Sequence, residues 1–339
     1  MIYIYSMKNS VYVSVVVFLL AFLSNIFFGS VRFDMSEIWS VLMGTSADDT
    51  VRYVIVESRL PQALTAMLSG AGLAVSGLLL QTVFHNPLAG PSVLGVTNGA
   101  SLGVAIVMLL AGGASVVGDV LSGLSGQMLL FLAALAGALL VTALLVFISA
   151  VAASHLVLLI AGIMIGYLIS SLITLFTYSA SETAIQGYVL WGMGDFSLVS
   201  LQQIPWLAAA VTLPLIACLP LIKPLNALLL GERYAASLGY SVRSLPIHML
   251  LVVGILCAVI TAYCGPVSFL GLAVPHISRF VCRTDDFRTL FPTTIFFGAT
   301  VAMLCNLACT AFTDQIIPLS AVTPLVGAPV VLYLFFRKR

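Results

Sequence analysis

Long apolar runs separated by short polar or Gly/Pro-rich intervals recur along the chain. They are Val11–Phe28, Met128–Val151, Leu156–Phe176, Trp206–Ile222, Ile247–Tyr263 and Val322–Phe336. Several approach or exceed the ~18–20 residues a helix needs to cross ~30 Å of hydrocarbon. No stretch shows the alternating segments of about ten residues that build a membrane barrel. The pattern predicts ten helical spans in one domain, 1–339. They lie at about 11–30, 60–82, 93–113, 127–150, 155–178, 203–222, 246–264, 266–282, 290–311 and 322–336. The eighth is short and interrupted by Gly271 and Pro275. The first apolar run lacks a following A-x-A-like cleavage site, so it reads as a retained span; Met7 is an alternative start to Met1.

Composition sharpens this into an all-α polytopic membrane protein. Of 339 residues, 61% are hydrophobic and 7% charged, against about 25% charged in soluble domains. With the N-terminus inside, Lys8, Lys223, Arg233, Arg243, Arg279, Arg283, Arg288, Arg337, Lys338 and Arg339 fall on the cytoplasmic side. Only Arg32, Arg52 and Arg59 fall outside. This asymmetry obeys the positive-inside rule and predicts both termini in the cytoplasm. No Asp, Glu, Lys or Arg falls near the middle of a span. Intramembrane charge usually marks an ion or proton path, so its absence argues against a proton-coupled carrier, and the energy for any transport is expected to enter elsewhere.

Other chemistry is sparse. Six cysteines stand singly in or beside apolar runs without a C-x-x-C pair, and they read as small buried apolar residues. His276 and His85 have no second ligand nearby in sequence and read as structural, so no metal site is expected. A P-loop is absent. "GLSG" at Gly123–Gly126, with His155 as an imagined base to Ser125, matches the G-x-S-G of intramembrane proteases, but four residues are a weak motif. A secondary carrier of another fold is the other alternative, and the lack of intramembrane charge argues against it.

The stretch Gln81–Gly103 gathers helix breakers in one place. Pro87 and Pro91 end one helix and permit the next, and Asn86 can satisfy freed backbone groups. Gly95, Gly99 and Gly103, spaced by four, form a stripe where another helix can approach closely. Gly70, Ala71, Gly72, Ala74, Ser76 and Gly77 make a second small-residue surface.

The longer string from Arg59 to Gly103 resembles the signature of FecCD-type permeases, subunits of bacterial ABC importers for iron-siderophores, haem and cobalamin. The matching residues are Arg59-Leu60-Pro61, Ser76-Gly77, Gln81, Asn86-Pro87-Leu88-Ala89, Pro91, Leu94-Gly95-Val96 and Gly99-Ala100. "LLLGERYAASLGYSVRSL", "GPVSFLGLAVPHISRFVCRTDDFRTLFP" and "AVTPLVGAPVVLYLFFRK" are similar to three later family blocks, so the resemblance covers nearly the whole chain. Gln62, Asn306, Thr310 and Phe287 depart from the family pattern, which commonly has Arg, Asp, Arg and His there.

The resemblance implies a partner set: a second permease copy in a homodimer, two cytoplasmic ATPases that carry ATP and Mg, and an external substrate-binding protein. No cofactor on this chain and no nucleic-acid partner are expected, and the location implied is the bacterial inner membrane. Gly231, Glu232, Ala235, Leu238 and Gly239, within a cytoplasmic segment at about 223–245, would form the short helix that docks into each ATPase. Ala235 and Leu238 are expected to share the docking face. Arg59, with Arg52 as second candidate, would meet glutamates of the binding protein. The pathway would be lined by the second, fifth and neighbouring spans, with Ser69, Ser76, Ser170, Ser171, Thr174 and Thr177 as candidates. The cargo implied is a metal chelate, with ferric siderophore ahead of haem and cobalamin.

Overall fold

A helix that is apolar all round must bury every face in lipid or in other helices, because its backbone groups are satisfied internally and its side chains are not. The computed structural model describes residues 2–45, 48–110, 124–152, 154–242, 244–311 and 317–337, and it builds them from thirteen helices with no strand among them. Ten occupy the expected spans: α1 (Ile2–Phe27), α3 (Asp49–Val83), α4 (Val96–Leu110), α5 (Leu124–Val151), α6 (His155–Ser179), α8 (Ile204–Leu229), α10 (Ser244–Cys264), α11 (Leu270–Cys282), α12 (Phe287–Thr310) and α13 (Leu319–Arg337). Three short helices lie between them: α2 (Met35–Leu42), α7 (Glu182–Gly192) and α9 (Glu232–Ser237). Six of the ten meet length and hydropathy requirements for crossing a bilayer, and the other four are shorter apolar helices.

α3 is the axis of the bundle. From Ser69 to Val83 every residue is buried. The small-residue run explains why: it lets backbones, rather than side chains, make the contact. A Cβ on Gly70 would collide with the Gly298 carbonyl of α12, and one on Gly77 with the Gly271 carbonyl of α11. Two helices are thereby drawn against α3 about two turns apart, at separations only glycine permits. α8 and α10 close around the same axis. α1 lies against α12, where the Asn25 amide donates to the Met303 carbonyl (3.0 Å) and Asn306 donates to the Asn25 carbonyl oxygen (2.8 Å). These amides satisfy one another where water is excluded. α4 packs on α5 and α6.

Boundaries differ from the sequence pattern in several places; α1 begins at Ile2, nine residues before its expected span. α3 begins at Asp49, about three turns before the expected span, and passes through a π-helical turn at Val54–Arg59. α8 runs on to Leu229 through a 3₁₀ turn at Leu219–Leu221, which accommodates Pro220. α11 is only thirteen residues long because residues 265–268 are irregular, opening on Gly265 (φ 71°), and Phe269 sits in the left-handed region (φ 65°). The polar segments that supply α2 and α7 carry no apolar span, but both have helix-start chemistry. The Glu37 carboxylate accepts from the Asp34 N–H (3.1 Å), and Ser181 Oγ accepts from the Ala184 N–H (3.4 Å).

Candidate coupling, pathway and docking surfaces

The Asn86–Pro91 turn is held from both sides. The Asn86 side chain accepts from the Leu88 N–H (2.9 Å), closing an Asx-turn that lets the chain reverse despite Pro87. A ring nitrogen of His276 lies 2.8 Å from the Pro87 carbonyl, so the histidine ties α11 to this turn. Gln81 on α3 accepts from Arg279 of α11, which also pairs with Asp285 (3.3 Å). Gly95 (φ 78°) turns the chain into α4, in a conformation that favours glycine. It faces Gly162 and Gly166 of α6, whereas Gly99 and Gly103 lie against Gly137 and Ala133 of α5. The expected single stripe therefore divides between two neighbours, since Gly95 stands before the helix and not within it.

α9 is set between two glycines with positive φ, Gly231 (112°) and Gly239 (84°). At its start the Glu232 carboxylate lies 3.2 Å from His155 Nε2 at the head of α6, and the His85 ring is 6.3 Å from that of His155. Three separate loops thus meet at one end of the bundle. The expected docking face needs correction. Ala235 is 1% exposed, packed into its own chain, whereas Leu238 is 53% exposed. The exposed apolar residues are Leu229 and Leu230 before the Gly231 turn, Tyr234 on α9 and Leu238 at its end. Which side of this short helix faces the body is not legible in the sequence.

Arg59 is also placed differently from the expectation. It is 5% exposed and spends its guanidinium on the end of α1. It donates to the carbonyls of Ile26 (2.8 Å), Phe27 (3.1 Å) and Val31, and lies 5.4 Å from the Phe33 ring centroid. The last carbonyls of a helix lack intrahelical partners, and a buried cation satisfies them here. An arginine so engaged offers no free fork to an approaching protein. Arg52 and Arg32 are exposed.

The pathway candidates divide in the same way. Ser69 and Ser76 are fully buried inside the bundle, the first beside Cys264 Sγ (3.4 Å), the second donating to the Gly72 carbonyl (2.8 Å). Their helix is encased by its neighbours, which takes them off any surface. Ser170, Ser171 and Thr174 stand exposed on α6 beside Tyr167, Leu168, Leu175 and Tyr178, and Thr177 is half-buried. The intramembrane-protease alternative loses its geometry: His155 lies past the far end of the 28-residue α5, about 40 Å from its start at 1.5 Å per residue, and is paired with Glu232. Gly123 and the Ser125 side chain lie outside the described residues, as do Arg243, Lys338 and Arg339.

At the opposite end of the bundle, between the ends of α3, α5, α8, α10 and α12, lies a cavity of about 950 Å³. Gln62, Asn306 and Thr310 all line it. α7 forms part of its wall through Leu190 and Trp191. Tyr188 of the same helix is held by burial, which pushes its phenol up, with a smaller opposing effect from a hydrogen bond to Ser101. Among the described residues no cluster of three or more His, Cys, Asp or Glu could hold a metal ion.

Comparison with known proteins gives a consistent result over nearly the full length. The sequence profile described as the FecCD transport family matches residues 17–337. The vitamin B12 import system permease protein BtuC of Klebsiella pneumoniae is 36% identical over 288 residues, 84% of this chain and 83% of the relative. That of Salmonella typhi is 36% identical over 281 residues, 83% of this chain and 82% of the relative. A solved inward-facing transporter, proposed to be of the metal-chelate ABC type, superposes with a TM-score of 0.84 at 26% identity, covering 97% of this chain and 99% of the other.

Proposed function

The chain belongs to the FecCD transport family, and from that premise we propose that it is the permease subunit of an ATP-driven ABC importer that carries a metal chelate across the bacterial inner membrane. Cobalamin, the cargo named for the relatives, and ferric siderophore are the two chelates the reading puts forward. The observation that carries it is the cytoplasmic hook: a short helix between two glycine turns, clamped by His155 and presenting Leu230, Tyr234 and Leu238 outward. Apolar side chains exposed to the cytoplasm beside the bilayer are stabilised by covering them, and an ATPase subunit is the partner assigned to that role. Motion of the partner would reach the bundle through Glu232 and His155 into α6, and through the adjoining turn and His276 into α11.

The exposed face of α6, with its weakly polar Ser170, Ser171 and Thr174, is assigned to the seam with a second copy and to the pathway between them. A pathway without fixed charge suits a bulky chelate that must leave as readily as it enters. The external binding protein is assigned to the exposed Arg52 and Arg32. ATP and Mg belong to the ATPase, and this chain supplies no catalytic group to hydrolysis.

The test is reconstitution of the chain in liposomes with its ATPase and external binding protein. ATP-dependent uptake of cobalamin or a ferric siderophore is expected. Equal uptake by vesicles lacking the ATPase would overturn the reading in favour of a secondary carrier.

A further inference from the structure

The cavity described above is lined by carboxamides from several elements. Gln62 comes from α3, Gln127 from α5 and Gln202 from the turn before α8, and all three line it. Gln127 and Gln202 are exposed and Gln62 is partly exposed, so their amides are open to solvent in the cavity, whereas Gln203, which also lines it, accepts from the Ser200 N–H (3.1 Å). A carboxamide presents a donor pair and an acceptor in one plane, so three from separate elements make a surface that reads uncharged amide, hydroxamate or hydroxyl groups. Trp191 and Tyr263 add aromatic faces for flat apolar parts of a ligand. Among the described residues no Lys or Arg lines the cavity, and its one charged residue is Asp195. One oxygen of that carboxylate accepts from the Ser197 N–H (2.8 Å) and the other from Ser197 Oγ. These bonds fix the carboxylate in place while each oxygen keeps acceptor capacity. A polyanion entering here would lose water, find no cation and meet a fixed negative charge. The volume of about 950 Å³ lies at the upper end of the range for small-molecule sites. The exposed α6 residues do not line it, so it is distinct from the seam assigned to the second copy.

We propose that this cavity is a ligand site of the single protomer, an external vestibule that holds chelates with uncharged amide, hydroxamate or hydroxyl surfaces and turns away polyanionic ones. It rests on the permease reading and narrows its cargo to neutral or weakly cationic chelates. Gln62, Gln127 and Gln202 are the specificity residues, and Asp195 excludes anions.

The experiment uses the full chain in lipid nanodiscs and the quenching of tryptophan fluorescence, since Trp191 and Trp206 line the cavity and Trp39, the third tryptophan, can be replaced by Phe. The probes are cobalamin, a neutral ferric trihydroxamate and a triply anionic ferric tricatecholate. Saturable quenching by at least one neutral probe and none by the tricatecholate is expected. Gln62→Leu combined with Gln202→Leu keeps side-chain volume and should weaken the neutral probe by roughly tenfold or more, through two lost hydrogen bonds. Asp195→Asn, which can still accept from Ser197, should admit the tricatecholate. Equal quenching by all three probes, an unaffected double variant, or quenching abolished by added short-chain phospholipid would each overturn the site, the last by assigning it to lipid. Transport separates the two readings. ATP-driven uptake of a neutral chelate without saturable quenching sinks the vestibule and leaves the permease. Quenching without ATP-driven uptake of any probe sinks the permease and leaves the site.

Discussion

Replacing Arg59 by Met distinguishes a structural arginine from a docking one. Met keeps most of the apolar stem and removes the guanidinium. Three carbonyls at and after the end of α1, those of Ile26, Phe27 and Val31, then lose their donor. Hydrogen bonds from charged donors contribute about 1.5–3 kcal/mol each, and a cation over an aromatic ring such as Phe33 adds about 0.5–1 kcal/mol. Two effects reduce the gross sum. Water at the external surface can reach some of the freed carbonyls, and burying the guanidinium carries its own desolvation cost. A net loss of about 2–4 kcal/mol follows, worth on the order of 5–10 °C in melting temperature if each kcal/mol shifts it by about 2–4 °C. The chain supplies its own reporter, because all six cysteines are buried thiols that a fluorogenic maleimide reaches only on unfolding. The Arg59→Met protein should label at lower temperature in detergent, while Arg52→Met, altering an exposed side chain, should melt as the parent does. The binding protein should show the reverse order, with weaker association for Arg52→Met, more so at low salt. An unchanged melting temperature for Arg59→Met together with lost binding-protein affinity would refute the capping argument and return Arg59 to the docking surface.

On the cytoplasmic side, Leu238→Glu should leave the melting temperature within about 0.5 kcal/mol of the parent, as surface changes usually do, yet reduce co-purification of the ATPase. Ala235→Asp should instead unfold or misassemble the chain, since it buries a carboxylate with no partner; a stable Ala235→Asp protein that merely lost its ATPase would put Ala235 back on the docking face. Gly77→Leu should destabilise the bundle with or without ligand by forcing α3 off α11, measured by the same thiol assay, and an unchanged melting curve would show that the two backbones do not meet. Glu232→Gln removes a partly exposed partner of His155, so a change of no more than about 0.5–1 kcal/mol, shrinking as salt rises, is expected; a larger, salt-independent loss would mean the pair is buried in the assembly.

The membrane class and the ten helical segments were readable from the sequence because each follows from a local quantity: the length of an apolar run, the position of a proline. The motif string around Asn86 and Pro87 was readable for the same reason, as it closes its own turn. What the run Gly70–Gly77 does is non-local. Small residues announce a close approach without naming the partner, and only the packed bundle assigns Gly298 and Gly271 to it, which puts Ser69 and Ser76 inside and leaves α6 bare. Arg59 and Ala235 were misjudged on the same physical ground. A charged residue at a helix end reads as exposed until another helix brings three carbonyls to it, and an alanine on a six-residue helix has no side until that helix is laid against the body. The amides of Gln62, Gln127 and Gln202 stand far apart in the chain, and tertiary folding alone gathers them around one cavity.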